Sequence, residues 1–103
     1  MRDLGIPKVT FVVQFSTRYA SLADAMRDAP EQIAAHRARS SEFHQRGELL
    51  MAGAFLDDQD ETLSATAVLT SRQAAEEYAH GDPLVLNGMV SEWRIREWGN
   101  LLA

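Results

Sequence analysis

The stretch PEQIAAHRARSSEFHQRGELLMAGAF, residues 30–55, decides the fold, because a helix, a helix stop and an apolar strand follow one another directly. One stripe of the predicted helix, at steps of three and four, consists of Ile33, His36, Ser40 and Phe43. That stripe should face a sheet, so an imidazole and a hydroxyl occupy positions that usually hold aliphatic side chains. Burying an unpartnered polar group costs roughly 1–3 kcal/mol, which predicts a partner for each of them.

Both ends of this helix can be predicted. Pro30 fits the first helical turn, where a missing N–H costs no hydrogen bond, and Gly47 fits the left-handed position just past the helix end. Residues 49–55 then run apolar without alternation, which is typical of a strand covered on both faces. We therefore expect a helix that turns through Gly47 into a strand buried on both sides.

On the N-terminal side, residues 9–15 alternate with a period of two, which predicts the first strand. The connection over residues 16–29 is long, and Ser21 is the expected N-cap of a short helix within it. Long ordered connections at strand ends often carry function, so Arg18 and Tyr19 become candidates for holding an anionic or aromatic substrate. The plain alternative is an exposed arginine and a half-buried tyrosine.

On the C-terminal side, two helix starts are predicted. Thr70 with Gln73 forms a capping-box pattern, and Asp82 followed by Pro83 forms an N-cap with proline at the first helical position. The other predicted elements are a turn at Asp57, Asp58 and Asp60, a strand over 63–69, a helix over 71–80, a short turn over 83–87 and a strand over 89–98.

The order strand, helix, strand, strand, helix, strand predicts an α+β fold of the ferredoxin-like βαββαβ type. It contains one four-stranded antiparallel sheet with the helices on one face. In that topology the last strand lies beside the first, so His36 and Asp82 share one edge of the sheet despite their distance in sequence. Ser16, Arg18, Tyr19 and Gly53 are expected close to that edge.

The sheet face opposite the helices is too apolar for a free surface and too polar for a core. Its predicted members are Thr10, Val12, Gln14, Ser64, Thr66, Val68, Arg94, Arg96 and Trp98. A mixed composition of this kind is typical of an interface, and two such sheets packed face to face would form a dimeric α/β barrel. We expect a homodimer, with Arg94 and Arg96 either in the interface or solvated.

Composition excludes several classes of function. The 103 residues suit one domain, and the net charge of −5 argues against nucleic acid as a partner. The chain has no cysteine, so thiol chemistry is excluded, and no segment reaches the ~18 apolar residues of a membrane span. We expect a cytoplasmic protein that contacts no membrane and uses no cofactor.

Two segments carry a resemblance to a known family. In the first, His36 is followed by Gly47 and then by an apolar run into Ala52 and Gly53, and the second is the Asp82–Pro83 pair after the 71–80 helix. The sequence resembles the YCII-related family of the dimeric α/β-barrel superfamily over nearly all of residues 9–98. It departs from the family pattern at Ala54, where proline is usual, and in the long 16–29 connection.

The resemblance implies that His36 and Asp82 form an acid–base pair in a small pocket. Related enzymes isomerise lactones or remove halide from ring compounds. We therefore expect a cofactor-free lyase or isomerase that transfers a proton on a small cyclic molecule, with Ser40 as a supporting donor and Gly53, Arg18 and Tyr19 near the substrate.

Three alternatives stay open at this point. His36 and Asp82 can be a purely structural pair, in which case the domain is a non-catalytic module that binds a small ligand or oligomerises. His80, beside Asp82, can be the imidazole that matters, or a helix C-terminal histidine that complements the dipole. A metal site from His36, His80 and Asp82 is the least favoured reading, and His44 is expected at the helix flank.

Overall fold

A strand, two helices, two strands, two helices and a last strand follow one another in a computed structural model that describes residues 7–57 and 62–102. Their order matches the predicted one, including the short helix expected after Ser21 and the short helical turn expected after Asp82. The elements are β1 (Val9–Thr17), α1 (Leu22–Asp28), α2 (Pro30–Gln45), β2 (Leu49–Ala54), β3 (Ser64–Leu69), α3 (Arg72–His80), α4 (Pro83–Leu86) and β4 (Val90–Gly99).

The strands form one antiparallel sheet in the order β2-β3-β1-β4. This is the strand order of the ferredoxin-like fold, so the predicted architecture is confirmed. Phe15 of β1 lies opposite Ala65 of β3 on one side and Trp93 of β4 on the other. Because β1 is central, the C-terminal end of β1 lies next to the start of β4.

The hydrophobic core lies between one sheet face and the helices α2 and α3. Val13 and Leu69 are fully buried on the sheet side, and Phe43 and Tyr78 cover them from the helices. The Phe43 and Tyr78 rings meet edge to face with centroids 5.2 Å apart, a geometry that aromatic pairs favour. The predicted helix stripe thus faces the sheet.

Three predicted boundaries are confirmed. Gly47 follows α2 with φ at +78°, where a Cβ would be strained, and Glu48 N–H closes the turn onto the Phe43 carbonyl. Ser21 caps α1 by accepting from Asp24 N–H, and Asp82 caps α4 by accepting from Leu84 N–H. These caps satisfy backbone donors that have no partner inside the helix.

One predicted cap is wrong by a residue. Ser71, not Thr70, caps α3, and its hydroxyl accepts from Ala74 N–H at 3.0 Å. The N–H of Thr70 instead donates to the Glu48 carbonyl, which joins the end of β3 to the start of β2. Backbone pairing therefore holds Thr70 outside the helix, and the next hydroxyl takes the capping position.

The expectation that the second strand is covered on both faces is also wrong for the single chain. β2 is an edge strand, and Met51, Ala52 and Gly53 are exposed, with Met51 at 72% of its full accessibility. An apolar run does not distinguish an internal strand from an edge strand. Of the predicted aspartate turn, Asp58 and Asp60 lie outside the described residues.

Candidate active site

His36 and Asp82 are in direct contact. Nδ1 of His36 lies 2.6 Å from Oδ2 of Asp82, so helix α2 and the start of α4 meet through one hydrogen bond. The Asp82 side chain is 2% exposed and the His36 side chain 22%. A buried carboxylate is therefore paired with an imidazole that still reaches solvent. The contact predicted from topology is present.

The second carboxylate oxygen of Asp82 is also occupied. Oδ1 accepts from Leu84 N–H at 2.8 Å as the N-cap of α4, while the Asp82 backbone keeps extended dihedral angles. With both oxygens engaged, the carboxylate cannot rotate freely. A carboxylate held in this way fixes the imidazole tautomer that carries its proton on Nδ1, and leaves Nε2 available as a proton acceptor.

A second polar pair lies one turn further along α2. Ser40 Oγ and Tyr78 Oη are 2.7 Å apart, and the Tyr78 ring stands edge-on to the His36 ring with centroids 6.4 Å apart. Burial raises the pKa of the Tyr78 phenol, partly opposed by the hydrogen bond to Ser40 and reinforced by the Asp82 charge. Tyr78 therefore keeps its proton and can donate a hydrogen bond, but it is no base at neutral pH.

These side chains open onto one cavity of about 440 Å³. Its walls are mostly apolar and come from the four helices and from β1, β2 and β3. Polar groups on the walls include His36, Ser40 and Tyr78. A concave apolar space of this size with a few convergent polar groups is typical of small-molecule sites.

The other predicted site residues divide into two groups. Gly53 lines the cavity on the side of β2. Arg18 and Tyr19 do not: Arg18 is exposed and its Nε donates to the Gly88 carbonyl at 3.0 Å, and Tyr19 accepts from Leu63 N–H through its own carbonyl. The 16–29 connection nevertheless reaches the cavity, through Leu22 and Met26 of α1.

Tyr78 was not among the predicted site residues. The sequence pattern assigned it to the apolar side of α3, which is correct for the ring but ignores the hydroxyl. The available signal was Ser40: a buried hydroxyl on α2 needs a partner, and a tyrosine on the facing helix is one of few groups long enough to reach it. For His36, the need for a partner was recognised in the same way, and the predicted topology then identified Asp82.

The two remaining histidines are engaged elsewhere. His44 Nδ1 lies 2.8 Å from the Leu49 carbonyl at the α2–β2 turn, in line with the flanking position expected for it. His80 is exposed and stacks edge-on against Trp93, with centroids 5.0 Å apart. Within residues 7–57 and 62–102, no three potential ligands are grouped as a metal site. No described helix is long and apolar enough to cross a bilayer.

Comparison with known proteins places the fold and the family. A family model described as YCII-related domain matches residues 11–99. The solved structure of 5-chloro-2-hydroxyhydroquinone dehydrochlorinase, TftG, from Burkholderia phenoliruptrix in complex with 2,5-dihydroxybenzoquinone is similar with a TM-score of 0.63 and 17% identity, over 88% of this chain and 94% of that one. No curated protein matches at a significant level.

Two further structures share the fold. A candidate antibiotic biosynthesis monooxygenase from Nitrosomonas europaea has a TM-score of 0.56 and 8% identity, with 93% of both chains covered. A conserved protein from Methanosarcina mazei has a TM-score of 0.52 and 11% identity, over 89% of this chain and 91% of that one. At such identities the likeness concerns the fold alone.

Proposed function

The chain belongs to the YCII-related family, and from this premise we propose that it is an enzyme that transfers a proton on a small cyclic, oxygenated molecule, with His36 as the acid–base group and Asp82 as its orienting partner. One observation supports the proposal most strongly. His36 Nδ1 lies 2.6 Å from the buried carboxylate of Asp82, and the His36 side chain also lines the cavity.

The pair supplies a base of defined orientation. Asp82 accepts a hydrogen bond from Nδ1–H, so the lone pair on Nε2 is free to take a proton from the substrate. The same carboxylate stabilises the imidazolium that forms when Nε2 is protonated. Nε2 has no hydrogen-bond partner among residues 7–57 and 62–102, which leaves it for a ligand. General-base catalysis contributes about 10²- to 10⁴-fold in rate, enough for a C–H bond that a neighbouring carbonyl already acidifies.

Ser40 and Tyr78 are suited to stabilise the negative charge that such a reaction creates on the substrate. Removing a proton beside a carbonyl moves an electron pair onto the carbonyl oxygen, and hydroxyl donors stabilise the charge that develops there. Since Ser40 and Tyr78 share one hydrogen bond with each other, one of the two hydroxyl protons remains for the substrate oxygen. From the resulting enolate, reprotonation at another carbon gives isomerisation, and loss of a halide with its bonding electrons gives elimination.

Elimination is the reaction in the name of one structural neighbour. TftG is a dehydrochlorinase of a hydroxylated, chlorinated ring, and its solved complex holds a dihydroxybenzoquinone. We extend this ligand class to the present chain as a proposal. The mostly apolar walls suit a flat ring, and the hydroxyl and imidazole groups on one wall suit its oxygen substituents.

The functional unit in this proposal is a homodimer formed through the sheet face opposite the helices. On that face Trp98 is 58% exposed and Met51 72%, and Met51 lies in register with Val68 next to the central strand. Large exposed apolar side chains on one sheet face favour a partner, and a second copy of the same face offers matching chemistry.

The test follows deuterium uptake from D₂O by NMR in a panel of cyclic enols, lactones and hydroxylated chloroquinols, together with chloride release from the last class. Wild-type protein is expected to accelerate exchange or elimination for at least one member, and His36→Ala to abolish it. Circular dichroism and thermal unfolding establish that the variant is folded.

His44→Ala is the matched control, because it removes an imidazole from the same helix outside the cavity. Activity that survives in His36→Ala would contradict the proposed role of His36. Loss of folding in His36→Ala would instead support a structural pair, the alternative in which the domain only binds a ligand.

A further inference from the structure

Arg37 directly follows His36 on α2 and lines the same cavity. It is exposed, which puts it at the mouth of the cavity, whereas Tyr78 is fully buried in the wall. An aromatic or alicyclic molecule that enters with its ring among the apolar walls leaves its outer substituent beside Arg37. The charge and the hydrogen-bond donors of Arg37 therefore indicate what kind of substituent the ligand carries.

The Arg37 guanidinium has no hydrogen-bond or ion-pair partner among the described residues, unlike most of the arginines in residues 7–57 and 62–102. Arg39 donates to the carbonyls of Glu77 and Tyr78 at 2.7 Å each, and Arg46 pairs with Glu48 at 3.0 Å. An arginine without a partner beside a cavity retains its full set of planar donors, which match the two oxygens of a delocalised oxyanion.

The rest of the described cavity lining adds no opposing charge. No aspartate or glutamate within residues 7–57 and 62–102 lines the cavity, and Asp82 is buried behind His36 with both oxygens engaged. The chain as a whole carries a net charge of −5, so its surface does not attract anions in general. A cation placed at this mouth is a local exception to the overall charge.

From these observations we propose that the substrate carries a delocalised oxyanion, a carboxylate or an enolate on a small ring, and that Arg37 binds this group at the cavity mouth. The inference rests on the proposed function for the location of the site. It also moves the anion-binding role that the sequence suggested for Arg18 to Arg37, because Arg18 is bonded to the Gly88 carbonyl outside the cavity.

The test measures binding of benzoate and of its neutral isostere benzamide by calorimetry and by the displacement of His36 ring signals in NMR. Wild-type protein is expected to bind benzoate about tenfold more tightly than benzamide. Arg37→Gln should reduce this preference to about twofold or less with benzamide affinity unchanged. Glutamine is a good helix former, and Arg37 makes no hydrogen bond or ion pair with another residue in 7–57 or 62–102, so the variant should fold normally.

Lys8→Gln is the matched control, since it removes the same charge from an exposed position at the far end of β1 and should keep the preference for benzoate. Equal binding of the two probes by wild-type protein, an undiminished preference in Arg37→Gln, or no benzoate binding at millimolar concentration would each overturn the inference. Proton transfer that persists without a preference for benzoate overturns this inference alone. A preference that depends on Arg37 in a protein without proton-transfer activity overturns the proposed function alone.

Discussion

Asp82 uses its two carboxylate oxygens for two separate tasks. Oδ1 caps α4 through Leu84 N–H, and Oδ2 accepts from His36, so one residue couples a helix start to the candidate base. A capping side chain contributes about 0.5–2 kcal/mol to stability, which alone would explain why an aspartate stands before a proline here. The two tasks can be separated chemically, because only one of them needs the negative charge.

Asp82→Asn is predicted to abolish most activity while leaving the fold intact. The amide oxygen can still accept from Leu84 N–H, but the amide NH₂ replaces Oδ2 and donates to Nδ1. The imidazole then carries its proton on Nε2 and cannot act as a base, so the rate of proton transfer should fall by about 10²- to 10⁴-fold. NMR of the imidazole N–H signals and the deuterium exchange assay check both effects.

The comparison variant is Asp82→Ala, which removes the cap as well. It should be less stable to urea than Asp82→Asn by about 1 kcal/mol. Wild-type activity in Asp82→Asn would show that the carboxylate serves only as a helix cap and would remove the main support for an acid–base pair.

Tyr78 makes stability depend on pH in the alkaline range. Burial raises the pKa of its phenol in the folded protein, whereas in the unfolded chain the phenol ionises near pH ~10. The unfolded state therefore loses this proton first, and the free energy of unfolding should fall as pH rises through ~10 towards the higher folded pKa. The slope contributed by one such group is at most about 1.4 kcal/mol per pH unit.

The measurement is urea unfolding of wild-type protein and Tyr78→Phe between about pH 8 and about pH 11. The stability advantage of wild-type over Tyr78→Phe is expected to hold up to about pH 9 and to shrink above it. A difference between the two proteins that stays constant over the whole range would contradict the raised pKa.

At the scale of single residues, the sequence predicted those site residues that helix periodicity can reveal. His36 and Ser40 stood out because polar groups occupied an apolar stripe, and topology then supplied Asp82. Tyr78 and Arg37 did not stand out, because a tyrosine ring fits an apolar helix side and an exposed arginine fits any helix. Their relevance depends on where the cavity lies, and that is set by residues from seven elements at once.

At the scale of elements, one arginine joins the two long helices close to the site. The Arg39 guanidinium of α2 donates to the carbonyls of Glu77 and Tyr78 at the end of α3, and it also lies over the Phe43 ring at 4.8 Å from the centroid. The Glu77 carbonyl also accepts from the Gly81 N–H at the helix end. The guanidinium adds a bond to this carbonyl and one to the Tyr78 carbonyl, so it acts as a C-terminal cap from another element. Gly81, which follows, packs directly against it.

Gly81→Ala is predicted to destabilise the protein. A Cβ at Gly81 would overlap the Arg39 guanidinium, so the guanidinium must shift, which weakens its bonds to the carbonyls of Glu77 and Tyr78. We expect a loss of about 1–2 kcal/mol, or several degrees in Tm. Because Asp82 is the next residue, the His36 ring signals should shift as well.

Gly99→Ala is the control, since nothing lies within 4 Å of a Cβ at that position. It should leave Tm nearly unchanged. In the Arg39→Ala background, Gly81→Ala should cost little, because the colliding group is gone and the two substitutions are not additive. Equal costs in both backgrounds would show that the strain at Gly81 has another source.

The sequence predicted which helices and strands form better than it predicted where each of them begins and what it contacts. The 3.6-residue and two-residue periods, Gly47 and the Asp82–Pro83 pair were sufficient for all the long elements. The cap of α3 was placed one residue too early, because the backbone bond from Thr70 N–H to Glu48 forms only after β2 and β3 have paired. Such tertiary bonds leave no signal in the local sequence.

At the scale of the whole molecule, the sheet has one covered and one open face. On the open face Thr10 and Val12 of the central strand are already buried within the single chain, while Met51 and Trp98 on the two edge strands stay exposed. The sequence indicated an interface from the mixture of polar and apolar residues. It did not place Met51 on this face, because the pairing of Met51 with Val68 depends on an irregularity in register between Leu49 and Met51.

The dimer proposal predicts a solution mass of two chains at micromolar concentration by light scattering. Trp98→Glu should shift the mass to one chain with an unchanged circular dichroism spectrum, because it introduces a charge where the partner sheet would bury an indole. Leu101→Glu is the control, because Leu101 is 98% exposed beyond the last strand, and this variant should leave the mass at two chains.

A wild-type mass of one chain would count against the proposed interface. Dissociation by Leu101→Glu alone would instead place the interface at the C-terminal end of the chain. A stable homodimer buries about 800 Å² per chain, an area that requires most of the open sheet face.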